Sequence, residues 1–142
     1  MERSPLRPAF RRAILLVDHG STHRAANEML ADIARLVALE APDAHVEFAH
    51  MELEAPSIDQ GVEACVAAGA TEIVVCPYLL APGRHSTSDI PRLATAAAAR
   101  HAGVRVIVSE PLGIDARLAA VVARRVDEAC EAAREHPRME DT

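Results

Sequence analysis

Aromatic side chains are scarce in this 142-residue sequence, which contains two phenylalanines, one tyrosine and no tryptophan. Proteins that bind single-stranded nucleic acids stack bases on such rings. The formal net charge is −6, and no basic stripe is present that could follow a phosphate backbone. We therefore expect no nucleic-acid partner, and a core built from alanine, valine, leucine and isoleucine.

Cysteines and long apolar runs are also scarce. Cys65, Cys76 and Cys130 are an odd number without C-x-x-C spacing, which is typical of core thiols in a reducing compartment. No apolar run reaches the ~20 residues that span a bilayer. The basic segment 1–12 lacks the apolar region of a signal peptide. These absences predict a cytoplasmic protein with no membrane partner.

Stretches of β-forming residues alternate with helical patterns along the chain. Strands are predicted at 13–17, 46–53, 72–77 and 104–108. Apolar residues at i, i+3 and i+4 spacing follow each strand and predict four helices. The stripe of the last helix consists of Leu118, Val121, Val122, Val126 and Ala129.

This alternation predicts an α/β protein with a three-layer, flavodoxin-like or chelatase-like fold around a four-stranded parallel sheet. Strands 1 and 3 are the most continuously apolar, which favours central positions and the strand order 2-1-3-4. We expect a single domain over residues 1–142, with a core at about 13–133 and flexible ends.

Ligand-type side chains follow three of the strands. His19 follows strand 1, Glu52 lies at the end of strand 2, and His85 lies in the loop after strand 3. In open parallel sheets, ligands bind at the carboxyl ends of the strands where the strand order reverses. Imidazole and carboxylate groups suit Fe²⁺, Co²⁺ and Ni²⁺, and two or three ligands leave coordination positions open. The pattern predicts a metal-handling site at this edge.

Purely structural roles are the alternatives for these residues. His19 could stabilise a tight turn, His85 could be an exposed loop residue, and Glu52 a solvated charge at a strand end. His50 lies two residues before Glu52, so both are predicted to point to one face of the strand. We interpret His50 as a surface histidine, with a supporting role at the site as the alternative. Asp18 either orients His19 or polarises the turn.

Helix-capping roles are also predicted near the site. Ser21 or Thr22 is expected to cap the first helix. Ser88 or Asp89 is expected to cap the third, with Pro91 in its first turn.

Three stretches of the sequence resemble the small CbiX/SirB-type sirohydrochlorin chelatases, the class II chelatase family. They are ILLVDHGSTHRAANEML, VEFAHMELEAPSI and GATEIVVCPYLLAPGRHSTSDIP, and the resemblance runs from about residue 14 to 126. It implies a chelatase-like fold and a lyase that inserts Co²⁺ or Fe²⁺ into the tetrapyrrole sirohydrochlorin, for cobalamin or sirohaem biosynthesis. Some members of the family use Ni²⁺. No organic cofactor is implied.

The resemblance also implies roles for individual residues. The histidine of the HGS motif falls on His19 and that of the G-x-H motif on His85; in the family these two bind the metal and assist deprotonation of the macrocycle. The family carboxylate falls on Glu52. At His50 many relatives carry an aromatic or apolar residue. A single short copy implies a homodimer whose cleft forms the active site.

The carboxylate rim of the macrocycle needs cationic or hydrogen-bonding partners. Arg84 is the nearest cation to the predicted site in sequence, and Arg24 and Arg92 are weaker candidates. The hydroxyl candidates are Ser21, Ser86 and Thr87.

Two other functions are possible. A carrier that binds metal or tetrapyrrole without catalysing insertion would use the same histidines. A flavodoxin-like phosphate-binding module is disfavoured because the chain has no glycine-rich phosphate loop.

Overall fold

The computed structural model describes residues 11–83 and 86–136, with backbone only at 86 and 87. These residues fall into two compact units divided after Leu112, and each unit is described by itself. Residues 1–10 and 137–142 lie outside the described part of the chain. The predicted single domain over 1–142, with flexible ends, therefore stays a prediction.

The first unit is an α/β sandwich whose elements alternate along the chain. They are β1 (Arg12–Asp18), α1 (Arg24–Glu40), β2 (His45–His50), α2 (Ile58–Ala67), β3 (Glu72–Pro77), α3 (Ser86–Ala98) and β4 (Arg105–Val108). The four strands form one parallel sheet in the order β2-β1-β3-β4, so the predicted sheet and its strand order are confirmed.

Alternation along β1 explains the three layers. Ala13, Leu15 and Val17 are fully buried and point to the face covered by α2 and α3. Leu16 points to the opposite face, where it packs against residues of α1. Because neighbouring residues of a strand face opposite sides, a continuous apolar run is what a strand covered on both faces requires.

The thiol of Cys65 belongs to the larger core cluster. Burial, together with the negative charge of Glu47, raises the pKa of this thiol to about 12. Cys65 is therefore protonated at neutral pH and acts as a small core residue, as predicted. Cys76 is half-buried, whereas Cys130 is exposed and does not fit the prediction of a core thiol.

The second unit contains α4 (Ala116–Glu135), which includes the whole predicted apolar stripe. Asp115 caps this helix and accepts a hydrogen bond from the backbone N–H of Arg117 at 2.8 Å. Hydrogen bonds from the side chain and backbone of Arg117 hold the pKa of Asp115 well below its usual range. Within residues 11–83 and 86–136, no helix is both long enough and apolar enough to cross a membrane.

Candidate functional site

The carboxyl ends of β1, β2 and β3 meet at one edge of the sheet, where the strand order reverses. β1 lies between β2 and β3 and pairs with both. The connections that leave these three strands carry the candidate residues His19, Glu52 and His85. Their positions along the chain therefore fit the predicted edge.

The turn after β1 is fixed by side-chain hydrogen bonds on both sides of His19. The Asp18 carboxylate accepts the backbone N–H of Gly20 at 3.0 Å. Buried Asn27 of α1 donates to the carbonyl of Ser21 at 2.7 Å and accepts its N–H at 2.9 Å. His19 is exposed between these two anchors. Because Asp18 and Asn27 hold the turn by their own hydrogen bonds, the ring nitrogens of His19 are not needed to fix it.

The predicted capping of α1 is wrong. His23 occupies the N-cap position and makes no side-chain capping hydrogen bond. Ser21 instead accepts the backbone N–H of His23 on its hydroxyl oxygen, at 3.0 Å. A hydroxyl that accepts this bond can still donate its own hydrogen, so the predicted contact of Ser21 with a carboxylate is chemically possible.

Glycine is required at position 20 because two loops cross there. Gly20 has a φ of +86°, and a Cβ at this position would lie 1.9 Å from the carbonyl oxygen of Glu52. A side chain of any size would therefore separate the turn after β1 from the loop after β2.

The loop after β2 is hydrogen-bonded directly to the end of β1. Met51 donates its backbone N–H to the carbonyl of Asp18 at 2.9 Å, and Glu52 donates to the carbonyl of His19 at 3.1 Å. The structure thus brings His19 and Glu52 onto adjacent, bonded backbones, and both residues are exposed. The predicted strand 46–53 is too long: β2 ends at His50, and Leu53 has a φ of +72°, which strand geometry excludes.

The interpretation of His50 as a surface residue is wrong. Its side chain is 1% exposed, and its Nδ1 lies 2.6 Å from Oδ1 of Asp18. The ring packs edge-on against Phe48, with centroids 5.9 Å apart. Glu52 is exposed and lies beyond the strand, so the prediction that the two side chains share a strand face is also wrong. The signal that could have placed His50 was its alternation with apolar Val46 and Phe48.

The loop after β3 carries the remaining candidates. Arg84 and His85 lie outside the described residues, as do the side chains of Ser86 and Thr87. The predicted metal contact and substrate contacts of these four residues stay predictions.

The start of α3 differs from the prediction. The helix begins at Ser86, so Ser88 and Asp89 lie inside its first turn and neither is the cap. Pro91 lies further inside the helix than predicted, for the same reason.

Both weaker cationic candidates are engaged in exposed ion pairs within their own helices. Arg24 contacts Glu28 at 3.0 Å, and Arg92 contacts Asp89 at 3.4 Å. Exposed pairs of this kind contribute little stability, so either guanidinium can exchange its partner for a ligand carboxylate at low cost.

Several cavities line the sheet edges. One of about 460 Å³ lies beside α1 and is lined by Arg24, Phe48 and His50, among others. A larger one of about 770 Å³ lies at the opposite, amino-terminal edge. Its lining mixes Arg11 and Arg12 with acidic residues, and it is far from the strand ends that carry the histidines. We assign the chemistry to the carboxyl edge.

Among the described residues, no group of three histidine, cysteine, aspartate or glutamate side chains could hold a metal ion. His19 and Glu52 are exposed ligand-type residues on adjacent, hydrogen-bonded backbones near the reversal point.

Comparison with known proteins identifies relatives over most of the chain. The sequence model of the CbiX family matches residues 13–129. The chain is similar to a chloroplastic protein named sirohydrochlorin ferrochelatase from Arabidopsis thaliana, with 41% identity over 80% of this chain and 50% of that protein. It is also similar to a protein named sirohydrochlorin cobaltochelatase from Sulfurisphaera tokodaii, with 32% identity over 81% of this chain and 91% of that one.

A solved structure gives the same result for the fold. The sirohydrochlorin chelatase SirB from Bacillus subtilis subspecies spizizenii, in complex with cobalt, superimposes with a TM-score of 0.76 at 35% identity. The match covers 83% of this chain and 50% of SirB. The chain therefore spans about half the length of SirB and of the ferrochelatase relatives it matches.

Proposed function

The chain belongs to the CbiX family, and on that premise we propose that it is a sirohydrochlorin chelatase, a lyase that inserts Co²⁺ or Fe²⁺ into sirohydrochlorin. One observation carries the proposal: His19 projects from an anchored turn that is hydrogen-bonded to the Glu52 loop, at the reversal point of the sheet. Similarity to relatives named ferrochelatase and cobaltochelatase supports Fe²⁺ and Co²⁺ as candidate ions.

The chemistry requires the site to handle one ion and two protons. Insertion replaces two pyrrolic N–H protons of the macrocycle by one divalent ion, so two protons must leave for each ion that enters. Neutral imidazole binds first-row divalent ions and also accepts protons near neutral pH. We assign these tasks to His19 and His85, and we assign charge balance or proton exit to Glu52. No step needs an organic cofactor.

Substrate recognition is proposed to involve the start of α3 and the turn after β1. Arg84 would pair with a carboxylate of the macrocycle, and hydroxyls of Ser21, Ser86 and Thr87 would donate hydrogen bonds to others. The amino terminus of a helix also favours anions, because its first N–H groups lack partners within the helix. Ni²⁺ is a further candidate ion, and the product would feed sirohaem or cobalamin synthesis.

We also propose a homodimer built from one CbiX domain per chain. The family match runs across both compact units, which supports one domain. The chain covers about half of the ferrochelatase relatives and 91% of the Sulfurisphaera relative. In the proposed assembly, two such domains build one cleft. The cytoplasmic location predicted from the sequence stays a prediction.

An insertion assay tests the proposed function. The absorbance of metal-free sirohydrochlorin is followed under anaerobic conditions with Fe²⁺, Co²⁺ or Ni²⁺, with and without the protein. We expect faster loss of the free macrocycle with Co²⁺ or Fe²⁺ than in the protein-free control. Binding of metal or macrocycle with a rate equal to that control would establish the carrier alternative instead.

The assigned histidine is tested by comparing two exposed residues of the same turn. His19→Ala should lower the insertion rate at least 100-fold, because it removes a metal ligand and proton acceptor. His23→Ala should leave the rate within twofold, because His23 makes no side-chain capping bond. Circular dichroism should show both variants folded. Wild-type turnover by His19→Ala would remove His19 from the mechanism.

A further inference from the structure

His50 and Asp18 form a buried pair directly beneath the candidate site. The two residues are register partners at the last positions of β2 and β1. The Nδ1 of His50 lies 2.6 Å from Oδ1 of Asp18, and the His50 side chain is 1% exposed while that of Asp18 is 21% exposed. A carboxylate oxygen can only accept, so Nδ1 of His50 carries the hydrogen in this bond.

This pair connects the two loops that carry His19 and Glu52. The same oxygen of Asp18 also accepts the N–H of Gly20 and so closes the turn around His19. On the other side, the backbone N–H of His50 bonds to the carbonyl of Pro56 at 2.8 Å and closes the loop that contains Glu52. The side-chain contact therefore joins two residues, each of which also makes the hydrogen bond that closes one of the loops.

His50 offers a substrate almost no surface, although it contributes to the lining of the cavity beside α1. Its ring is buried, its Nδ1 is bonded to Asp18, and its edge packs against Phe48. We therefore expect an effect of His50 on metal insertion to act through the two loops that the pair joins. A buried polar contact that holds ligand-bearing loops affects the geometry of the ligands rather than their identity.

We propose that Asp18 and His50 are a positioning pair for His19 and Glu52 in metal insertion. The inference rests on the proposed chelatase function. Loss of the side-chain bond should loosen both loops while leaving the sheet intact, because strand pairing in β1 and β2 is made by the backbone. The insertion rate should then fall because the ligand on one loop and the carboxylate on the other lose their fixed separation.

The test compares two histidines of the same strand. His50→Phe keeps an aromatic ring against Phe48 but removes the bond to Asp18. His45→Phe is the matched control, because His45 pairs with Glu47 at 2.8 Å at the opposite end of β2. We expect kcat for Co²⁺ insertion to fall 10- to 100-fold in His50→Phe, with KM for sirohydrochlorin changed less than threefold, and both values near wild type in His45→Phe.

Amide hydrogen exchange provides a readout that does not depend on activity. The N–H groups of Gly20 and Glu52 should lose at least tenfold protection in His50→Phe and keep it in His45→Phe. Asp18→Asn is the conservative variant: its amide oxygen can still accept from Gly20 and His50, so its kcat should lie between wild type and Asp18→Ala. If His50→Phe fails to fold, the comparison of Asp18→Asn with Asp18→Ala still tests the proposal.

Four outcomes would overturn the inference. Wild-type kcat in folded His50→Phe, or unchanged protection of both amides, would show that the pair does not position the loops. Equal losses in His50→Phe and His45→Phe would show a general effect on β2. An inactive wild-type protein would instead overturn the proposed function, and the positioning role with it, even if exchange showed that the pair holds the loops.

Discussion

At the scale of single residues, Gly20 is the position with the least freedom. It combines a positive φ with a Cβ position 1.9 Å from a backbone oxygen, which no rotamer change can relieve. The sequence predicts a turn glycine after β1, but the crossing of a second loop above it depends on a contact with Glu52, which is distant in sequence.

Replacing Gly20 by alanine should therefore destabilise the protein more than the same change at an uncrowded glycine. Gly20→Ala should lower the free energy of unfolding by about 3 kcal/mol or more, since it adds a backbone collision to an unfavourable φ. Gly103→Ala is the matched control: its φ is +78° and nothing lies within 4 Å of the added Cβ, so about 1–2 kcal/mol is expected. Urea denaturation measures the free energy of unfolding of both variants. Equal losses in the two variants would show that contact with the Glu52 carbonyl oxygen does not destabilise Gly20→Ala.

Other residues of the site were predictable to different degrees. The HGS motif places His19 at the end of β1, and this was read correctly from the sequence. The burial of His50 was missed because histidine is usually at least half-exposed, although its alternation with Phe48 indicated a covered strand face. The bond to Asp18 depends on strand register, which a single sequence gives only weakly.

At the scale of secondary-structure elements, α2 begins with a complete capping box, whereas α1 has no side-chain cap. Ser57 accepts the N–H of Gln60 at 3.2 Å, and the Gln60 side chain accepts the N–H of Ser57 at 2.8 Å. This capping box ends the loop that carries Glu52 and fixes where α2 begins. The S-x-x-Q spacing was readable in the sequence.

Ser57→Ala should lower the free energy of unfolding by about 1 kcal/mol, because one N–H at the start of α2 loses its acceptor. Ser57→Thr keeps a capping hydroxyl and should cost less than half as much. Urea midpoints measured at constant slope distinguish the two variants. An alanine variant as stable as wild type would mean that water replaces the cap without loss.

The sheet itself was the most predictable element. Continuous apolar runs in β1 and β3 require cover on both faces, and that requirement gives the order β2-β1-β3-β4. The end of β2 was not predictable, because Leu53 adopts a positive φ that β propensity disfavours and that only the surrounding contacts impose.

At the scale of the whole molecule, the proposed homodimer can be tested directly. If two copies build one cleft, insertion activity per mole of protein should fall on dilution, in proportion to the dimer fraction measured by analytical ultracentrifugation. A monomer with full activity at every concentration would contradict the proposed homodimer.

The crossing of the two loops at Gly20 also bears on metal selectivity. In the proposed site, the backbone bond from Glu52 to His19 limits how far these two residues can move apart. Ions of different radius must then be accommodated by ligands supplied from elsewhere. If the proposed site is correct, discrimination between cobalt and iron should follow changes in the neighbouring connections rather than changes at His19 and Glu52.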